Sequence, residues 1–341
     1  MKAAFVKRRN KIRIDDIPLP EMGENGILIK IDACGLCGSD FIDAYAWAHD
    51  WKRFGHEIIA HVANVGVGVR GIRPGDQVAM ALSVPCGECA ACTSGNVRRC
   101  TQMPVAHQGG FAEYLSVPNE RLLFKIDPEL PPAVAVFAEP LSVVLDAYET
   151  AGIGRNDRLV VIGGGFIGRL ALVAAKAIGV EVIGLLTRRS TQELEMLSEK
   201  LGFKRFHWRT LGGVTLCAPS QFTEEIAAGC GRVIILHTAP ARYIGRYYKI
   251  LPYDSVIVNI GLSSSFLDNK LFIDMSKALF KRVSILTAFP VPCLTFSKAI
   301  ELLQKQAELF SLLSVESQPL EHLPELIRSD AHHKGKIMMT P

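Results

Sequence analysis

The chain has 341 residues, 49% of them apolar and 21% charged, with a formal net charge of +4. That length exceeds what one core usually organises, so two domains are expected in a globular protein of ordinary composition. The small charge and the scatter of its basic pairs, Arg98-Arg99, Arg188-Arg189 and Lys204-Arg205, exclude a nucleic-acid stripe or a membrane-binding face, and no uncharged apolar stretch reaches the roughly 18 residues that cross a bilayer.

Residues 1–140 read as short strands punctuated by Gly and Pro: KAAFV, GILIKIDACG, HVANVGVGV, DQVAMAL and FAEYLSV. This predicts an irregular β-rich domain. The opening MKAAFVKRRN carries no apolar run behind its basic residues, so no secretory signal is read and a cytoplasmic, thiol-reducing location is expected. Within this half, CGECAACTSGNVRRC places Cys86, Cys89, Cys92 and Cys100 in one polar stretch. Reduced surroundings and an odd total of nine cysteines argue against disulfides. C-x2-C spacing lets one turn present two sulfurs to an ion, so the four thiolates predict a closed structural zinc lobe over residues 84–103. Upstream, ACGLCGSD and FGHEIIAHV offer Cys37 and His56, a soft thiolate and an imidazole, and AEPLSVV offers Glu139. Three protein ligands with a fourth position open describe a Lewis-acid zinc.

From Asp157 the character changes: RLVVIGGGFIGRLALVAAKAIGVEVIGLLTRRS reads as strand, glycine turn, helix and strand, a βαβ unit of a buried parallel sheet. Gly163, Gly165 and Gly168 form G-x-G-x-x-G, with Phe166 and Ile167 opening the helix. In that setting the glycines serve the tight turn, the approach of a pyrophosphate and close helix packing, and the helix amino end supplies free N–H groups. An NAD site carries an acid about 20 residues further on. Here the second strand ends in Thr187-Arg188-Arg189-Ser190, and a hydroxyl with guanidinium forks suits a 2′-phosphate, so NADP(H) is favoured over NAD(H). Strands at 232–239, 255–262 and 283–289 alternate with the helix-like ARYIGRYYKIL and FIDMSKALF, which extends the pattern to a doubly wound parallel sheet. A helix around SKAIELLQKQAELF follows, and GKIMMTP could return as a strand to the first domain.

Taken in order, CGxCGSD, GHE, PGDQV, the four-cysteine lobe, GGFAEY, AEPL and GGGFIG resemble the zinc-dependent medium-chain alcohol and polyol dehydrogenases over essentially the whole chain. Glu139, where the simple alcohol dehydrogenases have a cysteine, is similar to the sorbitol, threonine and galactitol-phosphate branch. The resemblance implies an α/β protein: a GroES-like catalytic domain over 1–140, a Rossmann domain over 141–289, and a segment 290–341 that completes the first domain. It implies two zinc ions per chain, the catalytic one held by Cys37, His56 and Glu139 with Glu57 as an alternate or exchanging ligand. It further implies that Asp40 orients His56 and that Ser39 meets the substrate oxygen as the first proton-relay group. The implied partners are a small alcohol or ketone, polyol, sugar-derived or amino-alcohol, and further copies of the chain in a homodimer or homotetramer. The sequence departs from the family at Ala60, at Tyr253-Asp254 and at HTAP over 237–240. It has Ile42 where some members carry a relay histidine, which leaves His49 as the candidate outer relay group. The segments Phe41 to Trp51 and Phe289 to Cys293 are expected to line the substrate pocket. A non-catalytic NADPH-binding or regulatory protein of the same fold is the alternative, and a zinc-free quinone reductase is a further rival; the ligand set argues against both.

Overall fold

The computed structural model of the chain describes residues 1–106, 108–211, 214–265, 267–329 and 335–341, with the backbone alone at 209–211 and 214–217. The chain forms two compact units: Met1–Val143 with Pro290–Ala307 and Ser314–Pro341, and Val144–Phe289 with Glu308–Leu313.

The first unit is built on the strand Ile27–Gly35, whose inward residues Ile27, Ile29, Ile31 and Ala33 alternate with more exposed ones before both faces close over at Cys34 and Gly35. It pairs antiparallel with Glu57–Val65 and Tyr114–Val117, and at its carboxyl end with Lys336–Thr340. The expected return of GKIMMTP is found here: Met338 faces Gly35 and Met339 faces Cys34. A smaller sheet orders Lys11–Asp16, Lys2–Lys7 and Lys52–Arg53. Its hairpin turns through the three residues 8–10, with Arg9 at φ 70° and Asn10 at φ 55° in the left-handed region. The strand expected at HVANVGVGV begins four residues earlier and ends at Val65. The glycines beyond it belong to a turn packed on the backbone of residues 23–25, where a Cβ on Gly66 would lie 2.2 Å from the Glu24 carbonyl oxygen.

The second unit holds a six-stranded parallel sheet in the order Lys204–His207, Glu181–Thr187, Arg158–Ile162, Val233–His237, Val256–Asn259, Ser284–Thr287. By order of appearance that is 3-2-1-4-5-6, the doubly wound dinucleotide-binding arrangement, whose ligands lie beyond the carboxyl ends of the strands where the order reverses. Every residue of Arg158–Ile162 and Val233–His237 is buried, as the near-continuous apolar runs predict. ARYIGRYYKIL, expected as a helix, forms two short 3-10 turns, Ala241–Arg246 and Tyr248–Ile250. The break falls at Tyr247, whose φ of −131° leaves helical space to seat its fully buried ring among Ile235, Ile257 and Trp208. Among the described residues no helix is long and apolar enough to cross a membrane.

Candidate active site and cofactor turn

Cys37 caps the short helix Gly38–Ile42, and its amide donates to Asp40 Oδ2 at 2.9 Å. That bond closes the first turn and leaves the Cys37 thiol half-buried while Asp40 is fully buried. His56 and Glu57 come from the start of the strand paired with Ile27–Gly35, which sets Glu57 opposite Gly35. One ligand atom each from Cys37, His56 and Glu57 lie within 4.8 Å of one another. Glu139, at the start of the helix Ala138–Ala151, is not one of that set, but it is buried and close enough to act electrostatically on His56 and Glu57. Ser39 sits half-buried on the capped helix, two residues from Cys37. His49, the candidate outer relay group, is exposed, and Ile42 is buried.

The electrostatics are those of buried acids crowded around one imidazole and one ammonium. Burial pushes Asp40 up to about 6 and Glu139 up to about 7, against the opposing pull of His56. Burial opposes charge on His56 as well, yet Cys37, Asp40 and Glu139 together carry its pKa well above the ordinary imidazole value. His56 Nδ1 and Asp40 Oδ1 are 3.7 Å apart, too far to hydrogen-bond. Both atoms are buried and find no hydrogen-bond partner among the described residues. Asp40 therefore orders the Cys37 amide directly and His56 only through its field. Buried carboxylates, a thiol and an imidazole with unspent donor capacity are the donor set a divalent zinc accepts.

One participant escaped the sequence reading. Lys336, 2% exposed, forms an ion pair with Glu57 and donates to the Leu36 carbonyl oxygen at 3.2 Å. Gly35 makes room for that pair, since a Cβ there would stand 2.0 Å from Glu57 Oε2 and 2.8 Å from Lys336 Cε. The available signal was a lysine opening a strand whose next three residues are all buried.

The four-cysteine lobe fits an ion independently. Cys86, Cys89, Cys92 and Cys100 place their sulfurs within 4.8 Å of one another and form no disulfide. The Cys86–Cys92 and Cys89–Cys100 sulfur separations are both 3.9 Å. A tetrahedron of sulfurs about 2.3 Å from zinc has edges of about 3.8 Å. Amides of Cys89 and Glu88 donate to Cys86 Sγ and pull that thiol down, and amides of Thr101 and Cys92 lower Cys89 to about 5. Cys92 is pushed up to about 12, first by burial and then by its three thiol neighbours, so the cluster cannot ionise fully without a cation.

In the second unit, Gly163 has φ 114°, and a Cβ there would meet Thr238 Oγ1 at 2.4 Å. A Cβ on Gly168 would stand 2.0 Å from the Gly163 carbonyl oxygen, so the helix Phe166–Ile178 can pack only with glycine there. Gly165 caps that helix and has open space where its Cβ would be, which leaves a path for a phosphate to the helix N–H groups; Phe166 and Ile167 are half-buried beside it. Thr187 is buried against Gly164, its hydroxyl accepting from the Arg189 amide at 3.0 Å, so it shapes the turn that presents Arg188, which is exposed, and Arg189, half-buried.

The second unit thus carries a doubly wound dinucleotide sheet, and the β-rich unit a four-thiol cluster and a Cys-His-Glu set. Known proteins resemble the chain in part of its sequence and in its fold. Residues 23–128 match the alcohol dehydrogenase GroES-like domain. A zinc-type alcohol dehydrogenase-like protein of Haemophilus influenzae is 34% identical over 203 residues, 57% of this chain and 58% of the relative, so the chain spans little more than half the length of this curated relative. Galactitol-1-phosphate dehydrogenase of Escherichia coli superposes over 100% of both chains with a TM-score of 0.84 at 23% identity. A zinc-binding dehydrogenase of Sinorhizobium meliloti bound to NADP superposes over 100% of this chain and 99% of its own, with a TM-score of 0.80 at 26% identity. Residues 23–128 thus match the alcohol dehydrogenase GroES-like domain, and the whole chain shares the fold of these dehydrogenases.

Proposed function

We propose that the protein is a zinc-dependent oxidoreductase that interconverts a secondary alcohol and its ketone with NADP(H), on a polyol, sugar-derived or amino-alcohol substrate. The observation that carries this reading is the buried convergence of Cys37, His56 and Glu57, with Glu139 beside them and Lys336 on Glu57. Zinc there would supply the Lewis acidity that lets a hydroxyl lose its proton near neutral pH, and the nicotinamide the hydride acceptor. The chain's own residues do the rest. Cys37, His56 and either Glu57 or Glu139 hold the ion, and Asp40 fixes the Cys37 amide so that the thiolate keeps its aim. Ser39 takes the hydroxyl proton and passes it outward. Lys336 balances Glu57 while another carboxylate serves as ligand. Cys86, Cys89, Cys92 and Cys100 hold a second, structural zinc. Arg188 and Arg189, at a strand end without an acid, support NADP(H) over NAD(H). Reduced thiols suit the cytoplasm. Exposed Phe272, Met275, Leu279 and Phe280, 66–79% accessible within one short stretch, support assembly with further copies of the chain.

Metal analysis together with initial rates over a panel of polyols, amino-alcohols and ketones, each with NADP(H) and NAD(H), tests the proposal. About two zinc ions per chain and metal-dependent turnover are expected. One zinc ion and no turnover on any substrate would leave the non-catalytic NADPH-binding reading in its place.

A further inference from the structure

Three segments far apart in sequence meet beside the end of the strand Glu181–Thr187. Trp208, next after the strand Lys204–His207, donates its amide to the Thr187 carbonyl oxygen at 3.3 Å. Its ring lies 6.0 Å from that of Tyr243, which follows the strand Val233–His237. Tyr243 is only 9% exposed, and its hydroxyl accepts a hydrogen bond from Arg242 Nη2 at 3.2 Å, with the Arg188 guanidinium near enough to act on it electrostatically. Arg242 is itself aimed by a bond from its Nε to Asp268 Oδ1 at 2.9 Å. The Arg246 guanidinium stands 5.8 Å from the centre of the same ring.

A phenol whose oxygen accepts from one guanidinium and lies in the field of another has its own proton left to donate. Burial alone would raise the Tyr243 pKa, but Arg242 and Arg188 outweigh it and lower the pKa, which makes that O–H a stronger donor. Donors and positive charges thus converge on one spot at the mouth of the sheet, and the partner that suits them is a multiply charged group that only accepts hydrogen bonds. A ribose hydroxyl could accept from the phenol but brings no charge to match the guanidinium groups.

We propose that Tyr243 is a specificity residue for the adenosine 2′-phosphate of NADP(H), its hydroxyl donating to the phosphate from between the Arg188 and Arg242 guanidinium groups. This rests on the NADP(H) reading above and adds to it two residues, Arg242 and Tyr243, that lie outside the strand-end sequence. The competing role, a ring that merely packs on Trp208, would be served equally by phenylalanine.

Equilibrium binding of NADPH, NADH and 2′,5′-ADP to the purified protein and to the variants Tyr243→Phe and Arg188→Ala distinguishes the two. Tyr243→Phe is expected to weaken NADPH and 2′,5′-ADP about tenfold, the size of one hydrogen bond to a charged group, and to leave NADH within about twofold. Equal weakening of NADPH and NADH, or no change in either, would overturn the tyrosine's role. Wild-type protein that prefers NADPH, loses that preference in Arg188→Ala and keeps it in Tyr243→Phe would sink this inference while the cofactor reading stands. Wild-type protein that binds NADH as tightly as NADPH would sink both. Unchanged circular dichroism and thermal unfolding midpoint show that each variant is folded.

Discussion

Two buried histidines, one in each unit, have opposite characters. His56 is 5% exposed among Cys37, Asp40 and Glu139, its Nδ1 has no hydrogen-bond partner among the described residues, and its pKa is driven well above the imidazole value. His237 is fully buried, and burial depresses it to about 4. Its Nε2–H donates to the Pro240 carbonyl oxygen at 3.1 Å, and its Nδ1 accepts from the Tyr247 hydroxyl at 3.0 Å. A carbonyl can only accept, so Nε2 carries the proton, and the depressed pKa leaves Nδ1 as the acceptor in a neutral ring. Burial is therefore no mark of function by itself. A satisfied imidazole is part of the scaffold, whereas one left with spare donors among anions points to a ligand.

The largest expected effect comes from breaking the charged cluster. Cys37→Ser should reduce turnover about a thousandfold or more, because the Lewis acid is lost. It should also remove one zinc equivalent by atomic absorption and leave the thiol lobe's zinc in place; retained turnover would show that His56 serves no metal. Next is Lys336→Met, which leaves Glu57 buried without its cation and should destabilise the first unit by about 3–5 kcal/mol. Chemical unfolding would measure it, and adding Glu57→Gln should recover most of the loss; no recovery would mean that packing, not charge, binds the pair.

The satisfied histidine gives a third effect with a definite sign. Its pKa is depressed on folding, so the stability it contributes is present above the unfolded value of 6.5 and is lost as pH falls toward about 4. Roughly 3 kcal/mol should disappear across that window, followed by chemical unfolding at each pH, and His237→Gln should flatten the profile. The smallest effect is that of Tyr247→Phe, about 1 kcal/mol for one buried hydrogen bond. If that substitution were neutral, the fixed tautomer would need another source.

The sequence shows the two histidines unequally well. His56 stands in GHE, and the donor types around it announce a metal; His237 stands in HTAP with nothing to mark its partners. The sheet of the second unit was legible because buried parallel strands read as apolar runs and G-x-G-x-x-G depends on backbone sterics between neighbours. The strand at Glu57 was read four residues late because its first half is buried on both faces and shows no alternation to detect. Lys336 and Tyr243 were invisible for a different reason: each gains its meaning from a residue many positions away, and neither Lys nor Tyr carries a local pattern that names its partner. Which carboxylate belongs with Cys37 and His56 is likewise a matter of tertiary distance: the resemblance offers Glu139 with Glu57 as the alternate, and the structure groups Glu57 with the pair.

The pairing of Lys336 with the Glu57–Leu36 corner joins positions 300 residues apart. The ammonium that balances Glu57 arrives on a strand made after the whole nucleotide-binding sheet, so during synthesis this corner holds its acids uncompensated. Completion of the pocket is thus among the last events of maturation, and high contact order makes it slow. Metal captured before that strand docks would stand in for the missing lysine.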